Sequence, residues 1–256
     1  MRAGVRQLVV GGVLLAFGLG VSRPSLAQGN EAATPAPLLA WVTNGPVYAL
    51  ARSGNTVYLG GEFSYLGPPT GSFAALDRGT GTPDPDWPAF DGPVFAFAPD
   101  GNGGWYVGGS FTQAGGLARR NLARVRADKT IDPIWELAAN DTVLALVATE
   151  RAIYVGGNFT RLGSQARRHL AALDTASGTL MDWNPEADAS VLALAFSDGQ
   201  IFVGGRFTRV GGQPRHYLAS FDAASGQLGP PFPELDAPVL ALLPQGNTLY
   251  LGGGFT

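Results

Sequence analysis

The sequence has 256 residues, of which 45% are hydrophobic and only 14% are charged. Average soluble domains carry roughly 25% charged residues, and the 37 glycines and 19 prolines of this chain favour short strands joined by turns over long helices. Because the sequence contains no cysteine, it can form no disulfide and offers no thiolate to a metal or a substrate. The formal net charge of −3, with Lys129 as the single lysine, argues against nucleic acid or an anionic membrane as the partner.

Residues 1–27 have the layout of a secretory signal peptide. Two arginines precede an apolar run over 8–21, and the small residues Ser25 and Ala27 stand three positions and one position before the expected cleavage site. An uncleaved membrane anchor is the alternative, although about 14 apolar residues fall short of the roughly 20 that a spanning helix needs. Residues 28–37 are small, polar and proline-bearing and predict a disordered leader. We therefore expect a secreted protein, located in the periplasm, outside the cell or on its surface.

A repeat of 48 residues dominates the rest of the chain. A Gly-Gly pair begins at positions 60, 108, 156, 204 and 252, and each pair stands in the frame aromatic-aliphatic-Gly-Gly-x-Phe. Repeats of 20–50 residues are typical of arrays of small structural units. The predicted repeat domain spans 38–256: an outer strand over 38–42, the units 47–93, 94–142, 143–190 and 191–238, and a partial unit over 239–256.

Each unit predicts a small antiparallel sheet. In the fourth unit, residues 191–196 are apolar in succession, as expected of a strand that is covered on both faces. A turn leads into a second strand over 201–207, and residues 217–221 form a third. A fourth, proline-rich strand is expected at the outer edge, where proline is tolerated. It is placed around the aromatic residue that closes each complete unit, namely Trp87, Trp135, Trp183 and Phe232.

Four short antiparallel strands in each repeat indicate the blade of a β-propeller, so the predicted fold class is all-β. A right-handed parallel β-helix is the alternative, but its coils are about half as long as this repeat. Glycine inside a strand costs about 0.5–1 kcal/mol relative to alanine. We therefore expect each glycine pair to make room for an aromatic residue of the neighbouring blade.

The ring of blades is expected to be incomplete, with four full blades and partial first and last blades; a strained five-bladed ring with a three-stranded last blade is the alternative. The native chain is then expected to continue into further residues or domains. If so, both end blades expose apolar faces and unpaired strand edges, and the chain is expected to self-associate.

The second unit, YVGGSFTQAGGLARRNLARVRADKTIDPIWELA, resembles the bacterial delta-60 repeat, in which GGxF is followed by an LARL-like strand, an acidic turn and an aromatic residue. The third and fourth units look like a variant with a DxxTG-type turn. The resemblance implies a secreted bacterial β-propeller that serves as a scaffold, with no shared catalytic residues.

A weaker similarity links the segments ALD at 75–77 and 172–174, each followed by glycine and tryptophan, to the docking motif of quinoprotein (PQQ) propellers. It implies a periplasmic oxidoreductase or a degenerate relative of one. The second unit departs from this motif, because Arg126 stands in place of the aspartate.

An asparagine or aspartate stands three residues before the first valine of every unit. Such a residue can close an Asx-turn at the entry to the inner strand. Alternatively, the five side chains form a rim at one mouth of the central channel, where they could bind a cation or a polar ligand. The five residues are Asn44, Asp91, Asn140, Asp188 and Asp236.

Three arginines, Arg119, Arg167 and Arg215, also recur at the spacing of 48 residues. They could hydrogen bond to loop carbonyls of their own blades, or form a basic arc for an anionic glycan or partner. The two histidines, His169 and His216, are better explained as loop or strand-start residues than as a metal pair.

No catalytic motif is found among these residues. We therefore predict a non-catalytic scaffold for binding or adhesion that uses no cofactor and no metal, with an unidentified protein or glycan as its partner. The alternative function is a periplasmic quinoprotein-like (PQQ) oxidoreductase.

Overall fold

The computed structural model describes residues 43–66 and 70–256. The predicted signal peptide, the leader and the predicted outer strand over 38–42 therefore lie outside the described residues. The described residues form twenty strands and no helix, so the all-β prediction is confirmed. No helix suited to crossing a membrane occurs among them.

The strands follow the repeat. The first unit contains β1 (Val47–Ser53), β2 (Thr56–Gly61) and β3 (Phe73–Asp77). The second contains β4 (Val94–Pro99), β5 (Trp105–Gly109), β6 (Gln113–Ala114), β7 (Leu117–Ala118) and β8 (Leu122–Val125). The third contains β9 (Val143–Ala148), β10 (Ala152–Gly157), β11 (Arg161–Leu162), β12 (Gln165–Ala166) and β13 (Leu170–Asp174). The fourth contains β14 (Val191–Ser197), β15 (Gln200–Gly205), β16 (Arg209–Val210), β17 (Gln213–Pro214) and β18 (Leu218–Asp222), and the fifth β19 (Val239–Gln245) and β20 (Thr248–Gly253).

These strands build five antiparallel sheets, which we number I to V. Sheet I has the order β1-β2-β3, sheet II β4-β5-β8, sheet III β9-β10-β13 and sheet IV β14-β15-β18, while sheet V consists of β19 and β20. In units two to four a two-stranded ribbon separates the second strand of the sheet from the third. Consecutive units are therefore built to one plan, as the repeat predicts.

The fourth strand is shorter than predicted and lies elsewhere. In each of the first four units it is reduced to one isolated bridge to the third strand, made by Pro83, Ile131, Leu180 and Leu228. The predicted position around Trp87, Trp135, Trp183 and Phe232 was wrong. In units one, two and four, proline makes the bridge or follows it within two residues, and proline lacks the N–H that a longer ladder requires.

The two glycines of each pair have different roles. A Cβ on the second glycine of sheet III, Gly157, would lie closer than 3.0 Å to the carbonyl oxygen of Thr142, at the β-bulge where β9 and β10 meet. Only glycine permits this approach of two backbones within one sheet. The phenylalanine of the repeat packs here as well: Phe111 Cδ1 would lie 2.9 Å from a Cβ on Gly109 of its own unit. The expectation that an aromatic residue of the neighbouring blade fills the space at every glycine pair was wrong; among the five pairs one lies there only at sheet I, where Phe97 Cε1 of sheet II would be 3.0 Å from a Cβ on Gly60.

In the first four pairs, the first glycine makes room for the next sheet. A Cβ on Gly204 would lie 2.7 Å from Val239 Cγ1 and 3.3 Å from Leu242 Cδ1, both on the inner strand of sheet V. The same relation holds between Gly60 and Val94, between Gly108 and Val143, and between Gly156 and Val191.

Every sheet thus has two different faces. The alanine face looks toward the following sheet and carries small residues of the inner strand and a glycine and an aromatic residue of the second strand; in sheet III it includes Ala145, Tyr154 and Gly156. The valine face looks toward the preceding sheet and carries branched residues, such as Val143 and Leu146 of sheet III. Four buried clusters form where the alanine face of one sheet meets the valine face of the next.

The inner strands pack in chain order, β1 on β4, β4 on β9, β9 on β14 and β14 on β19. Residues of all five border one small apolar cavity of about 20 Å³. The sheets are therefore arranged side by side around a common axis, with the fourth-strand bridges on the outside.

Candidate functional site

The strand connections distinguish two ends of the molecule. The turn end carries the hairpin turns between the first and second strands of each sheet, such as 149–151 between β9 and β10. The crossover end carries the two-stranded ribbons and the segments that lead into each inner strand. The repeated asparagine, aspartate and arginine residues singled out from the sequence lie at the crossover end.

At the crossover end, each predicted Asx residue is engaged in a clamp. The Oδ1 atom of Asp188 accepts hydrogen bonds from the backbone N–H groups of Thr208, at 2.8 Å, and of Arg209, at 3.0 Å. The hydroxyl of Thr208 donates to Oδ2 at 2.7 Å. Asp188 therefore ties the entry of β14 to the segment that follows β15, twenty residues away. This long-range clamp replaces the local Asx-turn that the sequence suggested.

The clamp recurs at all five positions with either side chain. In Asn140, Oδ1 accepts from the backbone N–H of Thr160 at 2.9 Å, and Nδ2 donates to the Thr160 hydroxyl at 3.0 Å. A hydroxyl can donate to aspartate or accept from asparagine, so both residues satisfy the same partners. Sequence reasoning missed the partner, although a serine or threonine directly follows every GGxF motif: Ser64, Thr112, Thr160, Thr208 and Thr256.

The aspartate clamps make stability depend on pH. Burial by itself would raise the pKa of Asp188, but the hydrogen bonds from Thr208 and Arg209 outweigh it, and the pKa lies below its ordinary value. The same balance lowers the pKa of Asp91. A carboxyl with a lowered pKa in the folded state contributes stability that is present above its unfolded pKa and is lost as the pH falls through the folded pKa. A rim of these residues that binds a cation stays a prediction.

The three repeated arginines hold the ribbons to the outer segments. In Arg167, one guanidinium nitrogen donates to the carbonyl oxygen of Ala166 at 2.8 Å and another to that of Met181 at 3.0 Å. Arg119 and Arg215 repeat this pattern on the carbonyl oxygens of their own units. Arg119 and Arg167 are 8% and 7% exposed, so two of the three arginines present little charge to the outside. A basic arc for an anionic partner stays a prediction.

The two histidines and Trp183 lie apart from one another and make different contacts. His169 adopts a left-handed backbone with φ of 64°, and its Nδ1 lies 3.2 Å from the carbonyl oxygen of Gly157, while His216 is exposed. Among the described residues no group of three or more histidine, aspartate and glutamate side chains is arranged to hold a metal ion. Trp183 donates from Nε1 to the carbonyl oxygen of Gly226 in the following unit at 3.1 Å, which fastens neighbouring blades at their outer edges.

The second unit contains a charge network that sequence reasoning missed. Arg124 pairs with Asp100 at 2.9 Å, and Arg126 pairs with Asp132 at 2.9 Å. The Arg124 guanidinium carbon lies 5.7 Å from the centre of the Tyr106 ring, and burial raises the pKa of that phenol. The available signal was arginine at position 124 in β8, where the other units carry alanine or serine, and at position 126 directly after β8, where they carry aspartate. Arg126 stands where the quinoprotein-like motif has an aspartate, and in this structure it forms the ion pair with Asp132.

At the turn end, sheets II, III and IV enclose an open groove of about 590 Å³. Its lining includes Asp100, Thr149, Glu150 and Phe196. Phe196 is 40% exposed, a high value for an aromatic residue on an inner strand. The groove residues are not repeated: the positions equivalent to Phe196 are Arg52, Pro99, Ala148 and Pro244.

Comparison with known proteins supports the fold. The profile of a family described as a domain of unknown function (DUF5122) beta-propeller matches residues 100–133 and 197–228, which are corresponding parts of units two and four. Together with the stacked antiparallel sheets, this match defines the chain as a β-propeller of repeated units. Comparison with curated proteins gives no match.

Solved structures share the architecture at low sequence identity. The WD40 β-propeller domain of Doa1 gives a TM-score of 0.53 at 10% identity, over 80% of this chain and 59% of that chain. A computationally designed protein, Ika8, gives 0.52 at 17% identity over 81% and 55%, and Sqt1 of Saccharomyces cerevisiae gives 0.50 at 14% over 79% and 54%. This chain therefore spans a little over half the length of each of these structures.

Proposed function

We propose that the chain is a secreted, non-catalytic β-propeller scaffold that binds a protein or glycan partner at its turn end. The observation that carries the proposal is that the repeated polar residues and the residues that occur once lie in different environments. The repeated polar residues are engaged by hydrogen bonds within their own units, as Asp188 and Arg167 illustrate. The open groove is lined by residues that occur once, such as Phe196 and Glu150. Residues that differ between otherwise equal units are suited to specific recognition.

The chemistry of the groove favours a partner with a cationic or hydroxyl-bearing group. Phe196 offers an exposed aromatic ring, on which a cation or a sugar ring can pack. Glu150 is an exposed carboxylate, whereas the Asp100 side chain is 2% exposed and already paired with Arg124. Glu150 is therefore the carboxylate that remains available to a partner.

The test uses a Phe196→Ala variant offered to a bacterial envelope fraction and to a glycan array. We expect the variant to fold as the parent does and to lose the partner that the parent retains. Leu117→Ala is the matched control, because Leu117 is 39% exposed but lies on the ribbon at the crossover end. If Phe196→Ala bound the partner as strongly as the parent does, a binding site in this groove would be contradicted.

A periplasmic quinoprotein-like oxidoreductase is the alternative function. The purified chain can be incubated with PQQ and Ca²⁺ and examined for a bound chromophore and for dye-linked alcohol oxidation. We expect neither. A bound chromophore together with oxidation would favour the oxidoreductase over the scaffold.

A further inference from the structure

The hairpin turn of unit two is longer than the corresponding turns of the other units. Val94 and Gly108 are 14 positions apart, whereas the equivalent valine and glycine are 13 positions apart in the other four units. The additional residue lies in the segment 100–104, which reads Asp-Gly-Asn-Gly-Gly and joins β4 to β5. At the tip of this turn, Asn102 is exposed and is directly followed by Gly103.

Asp100 holds the two sides of this turn but not its tip. Its backbone N–H donates to the carbonyl oxygen of Gly104 at 2.9 Å. Its Oδ1 atom accepts hydrogen bonds from the backbone N–H groups of Asn102 and Gly104, each at 2.8 Å, and its Oδ2 atom pairs with Arg124 at 2.9 Å. Within residues 43–66 and 70–256, neither the side-chain amide of Asn102 nor the N–H of Gly103 has a hydrogen-bond partner.

An exposed asparagine that precedes glycine can modify itself. The backbone nitrogen of the glycine attacks the side-chain carbonyl carbon of the asparagine, and the new N–C bond closes a succinimide ring. The side-chain nitrogen leaves as ammonia and takes up the proton of the N–H group. Water then opens the ring at either carbonyl group, which gives aspartate or isoaspartate. Asparagine is a thermolabile residue, and glycine favours the attack because it has no side chain that obstructs the nitrogen.

We propose that Asn102 is a self-modification site, which converts to aspartate and isoaspartate in the folded protein without an enzyme. Because no hydrogen bond within the described part of the chain holds its amide, the side chain can rotate toward the Gly103 nitrogen. Gly103 has a φ of 90°, which residues with a side chain rarely adopt. The turn therefore requires the same glycine that makes Asn102 reactive.

The sequence contains one other Asn-Gly pair, which serves as an internal comparison. Asn44 precedes Gly45, but it is the clamp residue of unit one. Its Nδ2 donates to the Ser64 hydroxyl at 3.0 Å, and its Oδ1 accepts from the backbone N–H groups of Ser64 at 2.9 Å and of Tyr65 at 3.1 Å. Rotation toward the Gly45 nitrogen breaks these hydrogen bonds. We therefore expect Asn44 to stay an amide while the chain is folded.

The conversion changes the charge of the groove at the turn end, because Asn102 is one of its lining residues. Glu150 is the available carboxylate of the groove, since Asp100 is paired with Arg124. After conversion a cationic partner meets two available carboxylates instead of one, so it is attracted more strongly. This consequence rests on the proposed function, whereas the conversion itself does not.

Mass spectrometry of proteolytic fragments measures the conversion at each site. The folded chain is incubated at mildly alkaline pH, because base removes the proton of the attacking N–H group. Asn102 is expected to gain the mass difference between an amide and an acid, faster at higher pH, while Asn44 stays unchanged. In denaturant, where the clamp is lost, both sites are expected to convert at similar rates. A folded chain in which Asn102 stays an amide, or in which both sites convert equally, would overturn the proposal.

Two variants test the effect on the groove with a tetra-arginine peptide as the cationic probe. Asn102→Asp carries the carboxylate from the start, whereas Asn102→Gln keeps an amide. The peptide is expected to bind Asn102→Asp about twofold to fivefold more tightly, as one exposed ion pair provides, and the difference is expected to shrink at high salt.

Phe196→Ala, added to each variant, separates the two proposals. If it weakened binding of the peptide while the charge at position 102 made no difference, the effect of Asn102 on the groove would be overturned. If neither change affected binding, cation binding in the groove would be contradicted, and the mass measurement would still decide the conversion.

Discussion

Replacement of Gly157 by valine is expected to lower the free energy of unfolding by roughly 2–4 kcal/mol. A Cβ at this position would lie closer than 3.0 Å to the carbonyl oxygen of Thr142 and 3.0 Å from the Val143 Cα. Both are backbone atoms at the β-bulge, so relief requires β9 to move away from β10 and from its packing against sheets II and IV. Calorimetric or circular-dichroism melting curves give the difference.

Gly252→Val is the matched control, because it introduces the same side chain into the first glycine of another pair where the nearest atom is at an ordinary 3.5 Å. It is expected to change stability by less than about 0.5 kcal/mol. If the Gly157 and Gly252 variants gave the same melting curve, the close backbone approach at the bulge would not be the reason for glycine at position 157.

Arg167→Lys is expected to lower the free energy of unfolding by about 1.5–3 kcal/mol, although it keeps the charge. The planar guanidinium reaches the carbonyl oxygens of Ala166 and Met181 at once. A lysine ammonium on a flexible stem can satisfy only one of these two acceptors in the same space, and Arg167 is 7% exposed, so water does not replace the lost bond freely. Thermal melting of the variant measures the loss.

Arg168→Lys is the control, since Arg168 is the exposed neighbour on the same segment. Its melting curve is expected to match that of the parent. If Arg167→Lys also melted as the parent does but lost affinity for anionic glycans, the arginine would serve recognition, as the basic arc supposes.

The sequence predicts the repeat, its strands and the all-β class because these depend on local patterns. Runs such as 191–196 are apolar in succession, and the glycine pair recurs at a fixed spacing. The first two strands begin and end within about two residues of their predicted positions: the structure has β14 at Val191–Ser197 and β15 at Gln200–Gly205. The prediction of the fourth strand was wrong because the aromatic residue Phe232 lies beyond the pairing with the third strand, which ends with the Leu228 bridge and the hydrogen bond from Gly229 to Ser220.

The candidate site was less predictable because its partners are distant in sequence. The sequence identifies Asp188 as repeated, but the hydroxyl that it binds lies twenty residues away on Thr208. Leu50 and Phe196 look like ordinary members of apolar runs, and only their neighbours in space decide that they are exposed. The exposure of these two residues and the place of Phe196 in the groove therefore could not be derived from the pattern.

The central claim is that each unit packs its alanine face on the valine face of the next unit, and disulfide formation tests it most directly. The chain has no cysteine, so any cross-link comes from introduced residues. A Cβ on Gly156 would lie 3.1 Å from the Cβ of Val191, near the roughly 3.5–4.5 Å of a disulfide. The double variant Gly156→Cys with Val191→Cys is expected to form the bond on mild oxidation, while Gly156→Cys with Val239→Cys, which joins units one step further apart, is expected to stay reduced. A bond in the second pair, or none in the first, would contradict the stacking of consecutive units.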